Sequence, residues 1–169
     1  IDTGAGDDYV RAYRYAQVDG GAGNDEIRVN DHATVDAGDG DDLVVSVGGS
    51  TIAGGAGNDI IIATEIGSNH STGPNNGDHG LTYGYNNIDG GEGDDYLQTT
   101  DNSTVRGGTG NDTIRLIGTG STVNFAKGDG QDAILASEDF TLNIAGYSKD
   151  DVTVTAQGEE LVVSFNGSE

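Results

Sequence analysis

Apolar residues recur along the chain in two columns with a basic step of 17 residues. The first column lies in short runs of strand-forming residues and contains Val10, Ile27, Val44, Ile61, Leu97, Ile114 and Ile134. The second follows eight or nine residues later and contains Val18, Val35, Ile52, Ile88, Val105 and Val123. Each repeat therefore predicts two short strands joined by two turns, which is one complete coil.

A fixed period of this length is typical of a solenoid. We predict an all-β fold, a parallel β-roll or β-solenoid of 17-residue coils with two thin parallel sheets. Coils paired in parallel lie about 4.8 Å apart, so equivalent residues of successive repeats form straight columns. The two apolar columns then form a thin core between the sheets.

A six-residue unit of the form Gly-Gly-x-Gly-x-Asp lies two residues before each residue of the first apolar column. The units begin at Thr3, Gly20, Ala37, Gly54, Gly90, Gly107 and, less well matched, Lys127. Glycine at the first, second and fourth positions permits positive φ and leaves no Cβ, which favours a tight loop whose carbonyl oxygens turn toward one point.

The sixth position of each unit is an aspartate, which predicts a column of carboxylates along one edge of the roll. Its members are Asp8, Asp25, Asp42, Asp59, Asp95, Asp112 and Asp132. Two unit charges about 4.8 Å apart repel by about 3.5 kcal/mol at an effective dielectric constant of 20. We therefore expect a cation between the loops.

Oxygen ligands from carboxylates and backbone carbonyls favour Ca²⁺. Zinc is disfavoured because the chain has no Cys and its three His lie outside the repeat register. Magnesium retains its waters and rarely enters sites made only of protein. The formal charge of −22 disfavours nucleic acid and anionic membranes as partners.

The units that begin at Gly54 and Gly107 resemble the glycine-rich nonapeptide of the repeats-in-toxin (RTX) family. This resemblance covers residues 1–135 and implies a calcium-binding β-roll, exported from Gram-negative bacteria by type I secretion to the exterior or cell surface. It also implies that the sixth-position aspartates and carbonyls of the first four positions bind Ca²⁺. The implied carbonyl donors are Thr3, Gly4, Ala5, Gly6, Gly20, Gly21, Ala22, Gly23, Ala37, Gly38, Asp39, Gly40, Gly54, Gly55, Ala56, Gly57, Gly90, Gly91, Glu92, Gly93, Gly107, Gly108, Thr109, Gly110, Gly128 and Gly130.

The opposite turns depart from the family pattern, in which both turns of a coil carry the glycine-rich unit. They share no ligand pattern, and two examples are Tyr13-Arg14-Tyr15-Ala16 and Val47-Gly48-Gly49-Ser50. We therefore expect one row of about six Ca²⁺ ions, one in each gap between seven loops.

Residues 64–86 interrupt the period, and we interpret them as a loop inserted on the edge away from the glycine-rich units. Three interpretations are open: a polar excursion, a protein or glycan contact site, and a transition-metal site at His70, Asp78 and His79. The contact-site interpretation rests on the aromatic and imidazole side chains of His70, His79, Tyr83 and Tyr85.

Residues 136–169 leave the repeat and alternate apolar with polar positions, which predicts a C-terminal β cap ending in a hairpin. The region resembles the haemolysin-related segment that follows RTX repeats. Both chain ends fall inside predicted elements, so we expect the sequence to be a truncated part of a longer protein.

No catalytic motif is evident, so we expect this segment to be a folding and binding module and not an enzyme. The resemblance implies a module that is unfolded where calcium is scarce, folds outside the cell and supports secretion. The alternatives are the ligand-binding part of a surface adhesin and the accessory module of a secreted enzyme or toxin. No stretch predicts a transmembrane segment.

Overall fold

A computed structural model describes residues 1–64, 85–157 and 160–165. Its described part is all-β, with two seven-stranded parallel sheets and one separate hairpin. The first sheet contains β1 (Tyr9–Tyr13), β3 (Glu26–Asn30), β5 (Leu43–Val47), β7 (Ile60–Thr64), β9 (Tyr96–Thr99), β11 (Thr113–Leu116) and β13 (Ala133–Ala136). The second contains β2 (Gln17–Asp19), β4 (Thr34–Asp39), β6 (Thr51–Ala56), β8 (Asn87–Glu92), β10 (Thr104–Thr109), β12 (Thr122–Ala126) and β14 (Thr141–Ala145). The predicted parallel β-solenoid is confirmed.

The core forms where the two predicted apolar columns face each other. Equivalent residues pair in register, as in Val10 with Ile27 and Val35 with Ile52. Every member of both columns is buried except Ile134, which packs against the core at its C-terminal end. Alternation places the intervening residues on the outer faces, because successive side chains of a strand point to opposite sides.

The coils on the two sides of the insertion stack directly on each other. Strand β7 pairs with β9 and β6 pairs with β8, so the coils before and after the insertion are direct neighbours. The predicted bounds of the inserted loop are too wide at both ends. Thr64 belongs to β7 and accepts a hydrogen bond from the Gly48 amide, and Asn86 is buried within the next coil.

The C-terminal end also differs from the expectation. Strand β14 pairs in parallel with β12, so the sheet continues to Ala145, beyond the predicted roll boundary at residue 135. A 3-10 turn at Lys149–Asp151 follows. Strands β15 (Val152–Gln157) and β16 (Glu160–Phe165) then form the predicted antiparallel hairpin.

Candidate metal centre

The seven sixth-position aspartates form one continuous column, as predicted. Each backbone amide donates to Oδ1 of the aspartate in the next coil, over 2.7 to 3.1 Å. The six bonds run from Asp8 to Asp25, Asp25 to Asp42, Asp42 to Asp59, Asp59 to Asp95, Asp95 to Asp112 and Asp112 to Asp132. One oxygen of each acceptor carboxylate is thus used to join two coils.

The second oxygen of these carboxylates is the unusual feature. Within the described part of the chain, five Oδ2 atoms are buried without a hydrogen-bond partner: those of Asp25, Asp42, Asp59, Asp95 and Asp112. A buried carboxylate oxygen without a partner is costly, because it loses its hydration and gains nothing in exchange. Five such oxygens lie in one column, so their cost is concentrated along a single edge of the roll.

Burial raises the pKa of five carboxylates in the column. Burial raises the pKa of Asp95 to about 7, and the carboxylates of Asp59 and Asp112 add to this effect while the Asp59 amide opposes it. Burial likewise raises the pKa of Asp59 and of Asp132 to about 6. The pKa values of Asp42 and Asp112 are raised for the same main reason. For these five carboxylates, burial thus shifts the equilibrium toward the protonated form.

The first-position residues of the third to sixth units are not paired in the second sheet. The β4–β6 register runs from Asp36–Ala53 to Gly38–Gly55 and omits Ala37 and Gly54. A Cβ atom built on Gly54 would overlap both Asp59 Oδ2 and the carbonyl oxygen of Gly90. These two oxygens, one from a carboxylate and one from the next coil's backbone, therefore converge on the same small space.

The same convergence occurs at Gly90, where the oxygens are Asp95 Oδ2 and the Gly107 carbonyl. It occurs again at Gly20, with Asp25 Oδ2 and the Ala37 carbonyl. We call this arrangement of one carboxylate oxygen and one first-position carbonyl oxygen the oxygen cradle. First-position glycines do not have positive φ, contrary to our expectation, and they lack the Cβ that would enter this cradle, whereas the third unit has Ala37 at this position.

The second- and fourth-position glycines do have positive φ, from Gly4 and Gly6 through Gly128 and Gly130. Their absence of Cβ also permits close stacking: a Cβ on Gly55 would overlap the Gly38 carbonyl oxygen. Second- and third-position carbonyls already accept interstrand bonds, as Gly21 does from Asp39 and Ala22 from Gly6. The first-position carbonyls of Ala37, Gly90 and Gly107 each lie near a buried carboxylate oxygen, whereas that of Gly20 accepts a hydrogen bond from Thr3 Oγ1.

The opposite edge of the roll makes the same interstrand bond with neutral side chains. The Ser50 amide donates to Asn86 Oδ1 over 3.1 Å, and the Ser103 amide donates to Ser121 Oγ over 3.2 Å. Ser50, Asn86, Ser103 and Ser121 are all buried. A buried interstrand acceptor in this fold therefore does not need to be a carboxylate.

A third column, at the fifth position, alternates aspartate with asparagine and lies in solvent: Asp7, Asn24, Asp41, Asn58, Asp94 and Asn111. Each backbone amide in this column donates to the preceding side chain, as Asn58 does to Asp41 Oδ1 over 2.9 Å. Alternation keeps like charges two coils apart. Alternation thus lowers the electrostatic repulsion within this exposed column. The buried sixth-position column has no such alternation, because every member is an aspartate.

The seventh loop contains a pair that sequence reasoning missed. Arg106 Nη2 lies 2.8 Å from Asp129 Oδ1, and Asp129 is buried. The available signals were an arginine in a column that elsewhere reads Asp, Ala or Asn, and a lysine at the first position of the unit. Neither signal specified the partner, because Asp129 occupies a third position that is not buried in the other loops.

Of the predicted contact residues on the insertion, Tyr85 is described and its side chain is 71% exposed. His70, His79 and Tyr83 lie outside the described residues. No group of three or more His, Asp or Glu side chains converges on a point within the described ranges. A metal in the oxygen cradle would thus depend on backbone oxygens as well as on side chains.

Comparisons of the chain with family models, with curated proteins and with solved structures gave no match. No helix in residues 1–64, 85–157 and 160–165 has the length and apolar character needed to cross a bilayer.

Proposed function

We propose that this segment is a calcium-binding module of the RTX type, whose roll folds when Ca²⁺ binds along its glycine-rich edge. The observation that carries the proposal is the contrast between the two edges. Both edges accept backbone amides with side-chain oxygens, but one uses neutral Ser and Asn and the other uses Asp with a buried second oxygen. That second oxygen makes no interstrand hydrogen bond. A bound cation would be its partner.

The donor set favours Ca²⁺ over the alternatives. The cradle at Gly54 brings together a carboxylate oxygen of Asp59 and a carbonyl oxygen of Gly90, and both are hard ligands. Asp25, Asp42, Asp59 and Asp95 would supply side-chain oxygens, and first-position residues would supply carbonyl oxygens. Bound Ca²⁺ would neutralise the carboxylate column, and the chain's own residues would align the coils.

The mechanism of such a module is coupled binding and folding. A metal that binds the folded chain and not the unfolded chain shifts the equilibrium toward the folded state. The raised pKa of Asp95 and Asp59 indicates that the folded column resists ionisation without a cation. The chain would then be unfolded at low calcium and folded at the millimolar calcium found outside a cell. There it would act as a secreted or surface-exposed scaffold without enzymatic activity. The resemblance supports type I secretion of its parent protein from a Gram-negative bacterium.

A matched pair of variants in one loop tests the proposal. Asp95→Asn removes a buried carboxylate but retains an oxygen that can accept the Asp59 amide, whereas Asp94→Asn removes an exposed carboxylate from the adjacent position. We expect Asp95→Asn to weaken calcium binding at least tenfold and Asp94→Asn to change it less than twofold. Circular dichroism during calcium titration from EDTA measures both. Equal effects of the two substitutions would contradict the proposal, as would β structure that is the same in EDTA and in millimolar calcium. We also expect Mg²⁺ to induce folding poorly in place of Ca²⁺.

Adhesion is a second candidate function, favoured by the exposed ring of Tyr85 beside the insertion. Tyr85 lies next to the opposite turn, where its backbone packs on Gly49. Tyr85→Ala should then reduce binding to glycan arrays or to host cell surfaces and leave calcium-dependent folding unchanged. Wild-type protein that binds neither arrays nor cells would argue against this candidate.

A further inference from the structure

The seventh loop differs in conformation from the other glycine-rich loops. Lys127, at its first position, is exposed, whereas the first-position residues of the second to sixth loops are buried. Asp129, at its third position, is buried, and the equivalent residues of the other six loops are not. The loop closes as a tight turn in which the Asp129 amide donates to the Ala126 carbonyl over 3.1 Å.

The last oxygen cradle differs from the others in the atoms that lie nearest to it. At Gly54 and Gly90, an added Cβ would meet a first-position carbonyl oxygen of the next coil. At Gly107, the three nearest atoms all belong to Asp112, and no atom of the seventh coil is among them. No backbone oxygen of the seventh coil therefore approaches this position as closely as the first-position carbonyls do in the cradles at Gly20, Gly54 and Gly90.

A guanidinium group approaches this gap from the sixth coil. Arg106 directly precedes Gly107, and its Nη2 donates to Asp129 Oδ1 over 2.8 Å. The second oxygen of Asp129 accepts the Ala126 amide over 2.8 Å, so each oxygen of this buried carboxylate has a partner. Asp89 Oδ2 lies 3.7 Å from Arg106 Nη1 on the exposed side of the same group.

The charge of Arg106 also acts on the last free carboxylate of the row. Burial raises the pKa of Asp112, and the neighbouring Asp94 and Asp129 add to this effect. The hydrogen bond from the Asp95 amide opposes this rise most strongly, and Arg106 also lowers that pKa. The Arg106 charge thus offsets part of the effect of the neighbouring carboxylates on Asp112, and no basic side chain does the same for Asp59 or Asp95.

We propose that Arg106 is the protein's own cation at the C-terminal end of the row, and that the gap between the Asp112 and Asp132 loops binds no Ca²⁺ while this guanidinium is in place. The inference rests on the proposed calcium function and limits it to the gaps before the sixth loop. It reduces the expected number of ions from about six to about five. It also gives the end of the roll an ion pair that does not depend on calcium concentration.

The number of bound ions tests this inference. Equilibrium dialysis of the full chain at saturating calcium compares wild type with Arg106→Gln, Arg106→Lys and Arg115→Gln. Removal of the guanidinium leaves Asp129 without its ion-pair partner, close to the unpartnered Oδ2 of Asp112, so Arg106→Gln should bind one more Ca²⁺ per chain than wild type. Arg106→Lys retains the charge, and Arg115→Gln removes an exposed arginine from the other sheet. Both should bind the wild-type number.

A crystal structure of wild type grown with calcium provides the second measurement, which does not depend on whether Arg106→Gln folds. Anomalous scattering should show ions in earlier gaps and none between the Asp112 and Asp132 loops. An ion in that last gap, or an unchanged stoichiometry in folded Arg106→Gln, would overturn the inference and leave the proposed function standing. Absence of calcium from every gap would overturn the proposed function and this inference with it.

Discussion

The backbone amide of Asp59 donates a 2.7 Å hydrogen bond to Oδ1 of Asp95, although the two residues are 36 positions apart. The same bond joins aspartates 17 positions apart in the coils before the insertion. The inserted segment therefore leaves the geometry of the glycine-rich edge unchanged. The Gly57 amide confirms this, since it donates to the Glu92 carbonyl over 2.7 Å in the usual register.

Replacement of residues 65–84 by a short glycine-serine linker should accordingly leave calcium-induced folding intact. Thr64 and Asn86 must be retained, because Thr64 accepts the Gly48 amide and Asn86 joins Ser50 to Thr99. Circular dichroism against calcium concentration measures the effect, and a matched deletion that also removes Asn86 should raise the calcium midpoint. A large loss of folding in the shorter deletion would mean that the insertion stabilises the roll.

Alanine substitutions along the aspartate column should differ in cost with position. Asp42→Ala removes the acceptor of the buried Asp25 amide and a free carboxylate oxygen, which should destabilise the protein by about 1–3 kcal/mol for the lost bond alone. Asp8 lies at the N-terminal end and is half-buried, so Asp8→Ala should cost less. Urea unfolding at saturating calcium compares the two free energies of unfolding. A larger effect for Asp8→Ala would contradict the assignment of the column.

Stability without calcium should increase as the pH falls from 8 to 5. The pKa of Asp95 is about 7 and those of Asp59 and Asp132 are about 6, all above the usual carboxylate value of about 4. The folded state thus binds more protons than the unfolded state between these values, so this stabilisation is complete below about pH 4 and is lost as the pH rises through 6 to 7. Circular dichroism in EDTA at pH 5 and pH 8 measures it as a change in the fraction of the chain that is folded. In saturating calcium the trend should reverse, because protons compete with Ca²⁺ for the same oxygens.

The exposed fifth-position column predicts a separate effect of charge alone. Asn58→Asp would place three carboxylates in adjacent coils, at residues 41, 58 and 94, each about 4.8 Å from the next. We expect a destabilisation of about 1 kcal/mol per new neighbour at low salt, with screening at high salt. Asn30→Asp is the control, because Asn30 pairs with uncharged Tyr13 and Val47. Equal effects of the two substitutions would mean that alternation does not matter.

Two glycines at the same position of the unit should respond differently to alanine. A Cβ on Gly55 would overlap the Gly38 carbonyl, whereas a Cβ on Gly4 would meet nothing within 4 Å. Both residues have positive φ, so backbone strain of about 1 kcal/mol applies to both. Gly55→Ala should thus prevent folding even at saturating calcium, and Gly4→Ala should permit it. Native circular dichroism for Gly55→Ala would show that the coils can separate without loss of the fold.

The sequence alone determined the architecture of the roll. Its 17-residue step predicted the strand pairs, both apolar columns and the aspartate column, because parallel stacking converts a fixed spacing into alignment. It also predicted that the coils flanking the insertion would stack, since Asp59 and Asp95 keep their register. These features depend on local alternation and on one repeated interval, both of which are visible in a linear chain.

Only the tertiary structure decided which oxygens of the column are free. Asp59 Oδ1 is used by the Asp42 amide and Oδ2 is not, and this difference depends on side-chain direction between coils. The neutral edge at Ser50 and Asn86, the continuation of the sheet through β14 and the pairing of Arg106 with Asp129 also arise between residues of different coils. A repeat pattern specifies which positions meet, but the exceptions at its ends are set by packing, because there the repeated contact partners are missing.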